Sequence, residues 1–439
     1  MNLDARVGLS MPRAWLSLLV LGCVGFLAYL DLQIFSVSLE HLKIDLRVSD
    51  TQLGLLMGAL TGVFAAISSV PIGTLADRYD RRLVLACSVL IWSGATVISG
   101  CAHDFRILSA GAIGTAIGES AFVAIIYGMI PELFEPRLRP LANTVGYTFL
   151  VLSVSLALYA AGATLGVIDK VKVCWEITES QASWRLAFGL AGVLGLPVCA
   201  LLLLVVPRKR QRLECFAPEN VAQESMLSYL LHQGPLVVSL MFWLATYRFA
   251  VTALQFWMPT VLVRDFGASP HHAGLALGRA SLVGTVVGVV TALVLIPRVL
   301  RALGNRIIPW IAATGSCAAA VAVMALVLTR SAVASLVPFG SVIAIATITS
   351  SVMPGMLQDI SRPHLRSRTI AIYSVVSLAP HSLLYYGIGQ YSASGNDLKL
   401  SATIVCGGAL LAAAIAFAIM AKGYKGLLIK LRHGTSPAG

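Results

Sequence analysis

Charge is what this chain has least of. Only 12% of its 439 residues are charged, about half the ~25% of an ordinary soluble domain, while 57% are apolar. A chain with that balance cannot clothe itself in a hydrated surface, so the bilayer is the solvent it fits. The formal net charge of +12 does not point to nucleic acid, because the basic residues sit in short clusters between apolar runs and not along one amphipathic face. The eight cysteines are scattered, without CxxC pairs or neighbouring histidines. Neither disulfides nor a metal site is therefore expected, and no other cofactor is implied. The metalloprotease HExxH, the GxSxG elbow and the phosphate-binding Gly-Lys-Ser/Thr loop are also missing, which argues against a membrane-embedded enzyme and excludes an ATP-driven pump. A sensor or receptor would bring a soluble domain, and the longest polar stretch, Pro207 to Gly234, is too short for one. No cleavable leader is expected, because the first apolar run, Ala14 to Leu39, is too long and lacks a small-residue cleavage site.

What is present is apolar sequence in lengths of about 20 residues. Such windows place twelve spans near residues 14–39, 51–76, 82–101, 107–130, 141–167, 185–206, 235–262, 272–296, 307–328, 332–357, 369–393 and 400–422. The expected fold is an all-α membrane protein of twelve transmembrane helices in two six-helix halves. Residues 1–206 form the first half, 207–234 a cytoplasmic linker and 235–439 the second. The segments that then face the cytoplasm hold most of the 32 lysines and arginines, so both termini are expected inside, in the cell (inner) membrane. An internal echo supports two halves. Glu132 followed by Arg137 and Arg139 after the fourth span resembles Asp359 followed by Arg366 and Arg368 after the tenth. Glycines at four-residue spacing, among them Gly54, Gly58 and Gly62, read as seams where helix backbones approach closely.

Between the second and third spans stands a charged island, Gly73-Thr74-Leu75-Ala76-Asp77-Arg78-Tyr79-Asp80-Arg81-Arg82. A loop with three arginines does not readily cross a bilayer and so orients both flanking helices. Asp77 is placed to accept hydrogen bonds from those arginines or from a helix N-terminus. Gly73, Asp77, Arg78, Arg81 and Arg82 are thus the expected conformational latch.

Four ionisable residues fall deep in spans: Asp31, Glu119, Arg248 and Arg279. Each costs at least about 2.5–3.5 kcal/mol at the bilayer centre, so none should face lipid. A desolvated carboxyl at Glu119 has the protonation behaviour a proton carrier needs, or it serves as a permanently neutral hydrogen-bond donor. Arg248, Thr252 and Gln255 share one face of the seventh span. That stripe suits a substrate oxyanion, unless Arg248 or Arg279 merely balances Asp31 or Glu119. In the eleventh span Ser374, Ser377, His381 and Tyr385 share a face, and His381 either meets substrate or is satisfied by a neighbouring serine.

Twelve spans, a mid-chain basic linker and the run Gly73-Thr74-Leu75-Ala76-Asp77-Arg78 with Arg81-Arg82 together resemble the major facilitator superfamily. Several stretches resemble its spinster branch more narrowly: Tyr29-Leu30-Asp31, Leu42-Lys43-Ile44-Asp45-Leu46, Ser49-Asp50-Thr51-Gln52-Leu53-Gly54-Leu55-Leu56, Gly118-Glu119 and Phe256-Trp257-Met258-Pro259. The resemblance implies a secondary transporter working by alternating access, in a branch that includes proton-linked carriers of lysolipids and sphingoid lipids. It also implies that Asp31 and Glu119 form the protonation switch. Two arginines usual in the branch are replaced here by Leu32 and Ala112, which leaves the cavity less basic. The expected partners are a small organic or lipid-like substrate, protons and the bilayer. The protein is expected to act as a monomer, with Arg248, Thr252, Gln255, Arg279, Ser377, His381 and Tyr385 binding substrate.

Overall fold

The computed structural model describes residues 11–174, 182–202, 235–353, 366–395 and 397–433. Every regular element among them is helical. In chain order these are α1 Met11–Leu46, α2 Asp50–Leu55, a π-helical turn Leu56–Leu60, α3 Thr61–Arg78, α4 Arg81–Gly100, α5 Phe105–Glu119, α6 Phe122–Leu133, α7 Arg139–Cys174 and α8 Ser183–Leu202. They continue with α9 Pro235–Phe266, α10 Pro270–Leu303, α11 Ile308–Ala325, α12 Ala332–Ser350, α13 Arg366–Ala393 and α14 Leu398–His433. Each of the twelve expected spans is thereby helical, the second as α2 with α3 and the fourth as α5 with α6. The expected linker 207–234 and the acid Asp359 lie outside the described residues.

Ten of these spans are long and apolar enough to cross a membrane; α9 and α13 are not among them. These two carry the polar stripes through Arg248, Thr252 and Gln255 and through Ser377, His381 and Tyr385. A helix that gives one face to polar side chains gives up mean hydropathy, and membrane helices place such faces against a cavity or one another.

The chain divides into two compact units: residues 1–35 with 63–222, and residues 36–62 with 223–439. The division passes through α1 and through the second span. In the first unit α4 packs against both α5 and α8, and α6 against α7. Its core joins Leu18, Val24, Trp92, Phe122, Ile126 and Ile130. The close approach of α5 to α4 needs Gly118, because a Cβ there would stand 2.8 Å from the Trp92 side chain and backbone. In the second unit α10 packs on α12, α11 on α14, and α13 on α9 and α2. The seam between α13 and the second span is where Gly54, Gly58 and Gly62 lie, and a Cβ on Gly54 would meet the Tyr385 carbonyl oxygen at 2.5 Å. These glycines are packing seams, as their spacing predicts.

Both breaks in the spans show in their hydrogen bonds. Ser49 caps α2 in a reciprocal box: the Gln52 N–H donates to Ser49 Oγ at 3.1 Å, and the Ser49 N–H donates to Gln52 Oε1 at 2.8 Å. One turn later the helix widens to the π form, and the Met57 carbonyl accepts instead from the Thr61 hydroxyl at 2.8 Å and from the His381 ring. The fourth span breaks where α5 stops at Glu119, with the Ser120 hydroxyl turned back onto the Ile117 carbonyl at 2.8 Å and Ala121 outside the helical region at φ −118°, ψ 1°.

Candidate functional site

In the first unit three elements converge on a carboxyl pair. Asp31, on α1, is 4% exposed, and its Oδ2 lies 3.0 Å from Thr96 Oγ1 on α4. The same hydroxyl lies 2.9 Å from the Trp92 carbonyl oxygen. A threonine hydroxyl has one proton to donate. The hydroxyl therefore either shares its proton between the Asp31 carboxylate and the Trp92 carbonyl, or donates to the carbonyl and accepts from a protonated Asp31. Asp31 Oδ1 is also buried without a hydrogen-bond partner, as is Glu119 Oε1.

Glu119 is within electrostatic reach of Asp31 and sits at the final residue of α5. The carbonyl-rich end of a helix carries partial negative charge, which disfavours a second anion there. Two carboxyls within electrostatic reach of each other at bilayer depth, one at a helix C-terminus, are costly as a pair of anions. A continuous fourth span is the natural reading of residues 107–130; the structure instead places Glu119 at a discontinuity, a geometry tolerated at membrane depth only where the backbone is packed in protein or lines a cavity.

The charged island makes a bridge inside the same unit. Arg81 donates to Asp77 Oδ1 at 2.9 Å, to Glu132 Oε1 at 2.9 Å and to the Gly128 carbonyl, so one guanidinium ties α3 and α4 to the end of α6. Asp80, and not Asp77, caps α4, accepting from the Arg82 N–H at 2.9 Å. Arg82 also stands 3.7 Å from Asp80 Oδ2. Gly73 has open space around it, and Arg78 closes α3.

In the second unit α9 and α13 bring together most of the expected substrate residues. His381 stacks on Phe249 with centroids 4.4 Å apart and meets the Tyr385 ring edge-on at 5.1 Å. Tyr385 lies 5.3 Å from Phe256 and is hydrogen-bonded to Thr252. His381 is hydrogen-bonded to the Met57 carbonyl of the π turn. Arg248 is exposed and lies within electrostatic reach of His381, Tyr373 and Tyr385. Gln255 is buried at 8% exposure. Ser377 is half-buried on α13, and Arg279 is exposed on α10; the side chain of Ser374 lies outside the described residues. An exposed guanidinium beside an aromatic wall offers an anion contact and an apolar contact together.

Residues 21–384 match the sequence profile of the Major Facilitator Superfamily. The chain belongs to that family. Its family and its spans place it among multi-pass membrane proteins of the major facilitator fold. An MFS-type efflux pump of Mycolicibacterium smegmatis is 28% identical over 271 residues, covering 61% of this chain and 59% of that protein. Spinster homolog 3 of Mus musculus is 28% identical over 267 residues, covering 58% and 48%. A sphingosine-1-phosphate transporter of Mus musculus is 28% identical over 253 residues, covering 56% and 43%. The chain spans about two-fifths to three-fifths of the length of these relatives. Among solved structures, a bacterial homolog of the human lysosomal transporter spinster, in an inward-facing and unoccupied conformation, superimposes with a TM-score of 0.74 at 20% identity over 98% of this chain and 100% of that one. The spinster branch expected from Asp50-Thr51-Gln52-Leu53-Gly54 is the one these relatives represent.

Sequence reasoning passed over several participants in this major facilitator protein. Thr96 belongs to a buried polar stripe on α4 with Ser88, Trp92 and Ser99, whose helical spacing is a usable signal. Glu132 carries the same acid-before-arginine pattern noted after the fourth span, but its partner is Arg81. In the second unit Arg264, near the end of α9, donates to Asp50 Oδ2 at 2.8 Å and to Glu40 Oε2 at 2.6 Å. Lys43 Nζ adds a contact to Asp50 at 3.0 Å, and the Ser392 hydroxyl donates to it at 2.9 Å. Lys43 and Asp50 stand in stretches that resemble the spinster branch, but nothing in the sequence pairs them with Arg264.

Proposed function

We propose that this protein is a proton-coupled secondary transporter for an amphipathic organic solute with an anionic or zwitterionic head. Glu119 and Asp31 carry the coupling proton, and alternating access moves two six-helix halves, residues 1–206 and 235–439, about the solute. Arg248 receives the head, while Phe249, His381, Phe256 and Tyr385 receive the apolar part. The observation that carries the reading is the buried Asp31 carboxyl, with Oδ2 on the Thr96 hydroxyl and Oδ1 without a hydrogen-bond partner, within electrostatic reach of Glu119. A carboxyl crosses between conformations cheaply only when neutral, and protonation shifts the equilibrium only through its different affinity for the two states. The efflux-pump and sphingosine-1-phosphate relatives make a lipid-like cargo the first class to screen. The proposed setting is the cell (inner) membrane, both termini cytoplasmic, as a monomer. Uptake into proteoliposomes with and without an imposed pH gradient, together with counterflow exchange, tests the coupling. Glu119→Gln is expected to keep exchange and to lose the response to the gradient. A wild-type response in that variant would leave Glu119 as a structural hydrogen-bond donor.

A further inference from the structure

At the chain turn between α1 and α2 the second unit holds a polar group that the transport reading above does not use. Arg264 is its centre, bridging Glu40 on α1 and Asp50 on α2 with both arms of the guanidinium. Asp50 is 3% exposed and also receives Lys43 and Ser392, so four helices, α1, α2, α9 and α13, meet on one carboxylate. Beside it opens a cavity of about 570 Å³ lined by Lys43, Asp50, Arg264, Asp265, Ser392 and Asp397 among others. The next residue along α9, Asp265, turns its carboxyl toward that of Asp397, the residue that caps α14 by accepting from the Lys399 N–H at 3.1 Å. Asp265 Oδ2 is buried and receives no hydrogen bond from a protein donor.

Two carboxyls joined by a hydrogen bond hold a proton between them, and the pair lies past the end of the seventh span, lining the cavity. Burial and the neighbouring Asp397 push the Asp265 carboxyl up to about 7, against the pull of Lys399 and Arg264. The groups facing it are Asp397 and Lys399 on α14, Arg264 on its own helix, and Lys43 and Asp50 across the cavity. Lys399 is held by the Thr329 carbonyl at 3.0 Å and lies over the Phe266 ring at 5.2 Å, and from there its charge only partly offsets the effect of burial and Asp397 on Asp265.

We propose that the Arg264 bridge is a closing latch for this face of the transporter and that proton sharing between Asp265 and Asp397 sets its strength. With the proton present, Asp265 is neutral and Arg264 stays on Asp50 and Glu40. With it lost, the ionised Asp265 repels Asp397 and competes for Arg264, and the four helix ends loosen. The sign follows from linkage: the latched state binds the proton more tightly than separated carboxyls, whose ordinary value is about 3.9. Latching is therefore strongest in acid and weakens as pH rises from about 4 toward about 7, then stays level. The inference rests on the transporter reading but not on the role of Glu119.

The test is a distance measurement by pulsed electron paramagnetic resonance on the full chain in nanodiscs. Spin labels go on Ile44→Cys and Ser394→Cys, both exposed, in a background without the eight native cysteines that still transports. Between about pH 5 and about pH 8 the ratio of separated to latched molecules is expected to rise by at least about tenfold, the equivalent of one pK unit of differential proton affinity. Asp265→Asn should flatten that rise, and Arg264→Gln should give the separated distance at every pH. Wild-type distances that ignore pH, or an Asp265→Asn variant that keeps the full rise, overturn the proposal. Glu119→Gln should leave the rise intact. If it abolishes the rise, the sensor is the inner acid pair and the latch proposal fails while the coupling reading stands. If Glu119→Gln instead responds to a proton gradient as wild type does and the rise persists, the coupling reading fails and the latch stands. As a second measurement, the pH profile of counterflow exchange should lose its acid-side inhibition in Arg264→Gln, and an unchanged profile counts against the latch.

Discussion

Arg81 in the first unit and Arg264 in the second do the same geometric work under different conditions. Each guanidinium spans two acids, Asp77 and Glu132 for Arg81, Glu40 and Asp50 for Arg264. The acids differ in burial. Asp77 and Glu132 are 72% and 40% exposed, whereas Glu40 and Asp50 are 18% and 3% exposed. An exposed pair exchanges protein contacts for water at little net gain. A buried carboxylate that loses its cation is left uncompensated, which costs far more than the pair contributes when intact. The familiar charged island is therefore the weaker bridge, suited to being made and broken in a cycle, and the bridge that no motif announces is the stronger one.

The largest expected effect that tests this contrast is Arg264→Ala. It should destabilise the protein by about 3 kcal/mol, the lower end for breaking a buried pair because Arg264 itself keeps some contact with water; a thermal-unfolding series in detergent reads it. Arg81→Ala should cost about 1 kcal/mol or less by the same measurement. Equal losses would erase the distinction. Salt sharpens it further: at about 1 M the screening length falls to about 3 Å, so the penalty of Arg81→Ala should shrink while that of Arg264→Ala persists. The smallest effect on stability belongs to Asp77→Asn, which should leave folding within about 0.5 kcal/mol of wild type while slowing transport, because Asp77 is an exposed end of a bridge that holds α3 to α4. Wild-type transport rates in Asp77→Asn would show that the Arg81–Glu132 contact alone carries the latch.

The aromatic site of the second unit offers a separate check. Arg248→Lys keeps the charge but loses the planar fork. If Arg248 grips a substrate head, apparent affinity should fall about tenfold or more, one well-made contact; if it only balances charge, lysine should nearly suffice. Unchanged affinity in Arg248→Ala would remove it from the site.

How much of this was readable from residues alone depends on the range of the interaction. Span positions follow from runs of apolar residues, and the stripes Arg248–Thr252–Gln255 and Ser377–His381–Tyr385 follow from helical spacing, so both α9 and α13 carry their polar faces where the sequence predicts. The break after Glu119 was not legible, since Gly118-Glu119-Ser120-Ala121 contains no proline. It goes with the crowding of Gly118 against Trp92, a tertiary contact. The π turn at Leu56–Leu60 likewise rests on the Met57 carbonyl finding a histidine from α13. The Arg264 cluster joins residues 224 positions apart, and no local pattern encodes such a pairing. Asp31 and Glu119 were visible as ionisable residues in apolar surroundings, but the Thr96 hydroxyl that meets Asp31 is set by the packing of α4 against α1.

The central claim is that Glu119 and Asp31 carry the coupling proton. The most direct measurement is proton movement itself, read by a pH-sensitive dye trapped in proteoliposomes while substrate crosses under counterflow and net-flux conditions. The account predicts that wild-type protein moves protons together with substrate and that Glu119→Gln moves substrate without them. Glu119→Gln vesicles in which protons still accompany substrate at the wild-type ratio would contradict it.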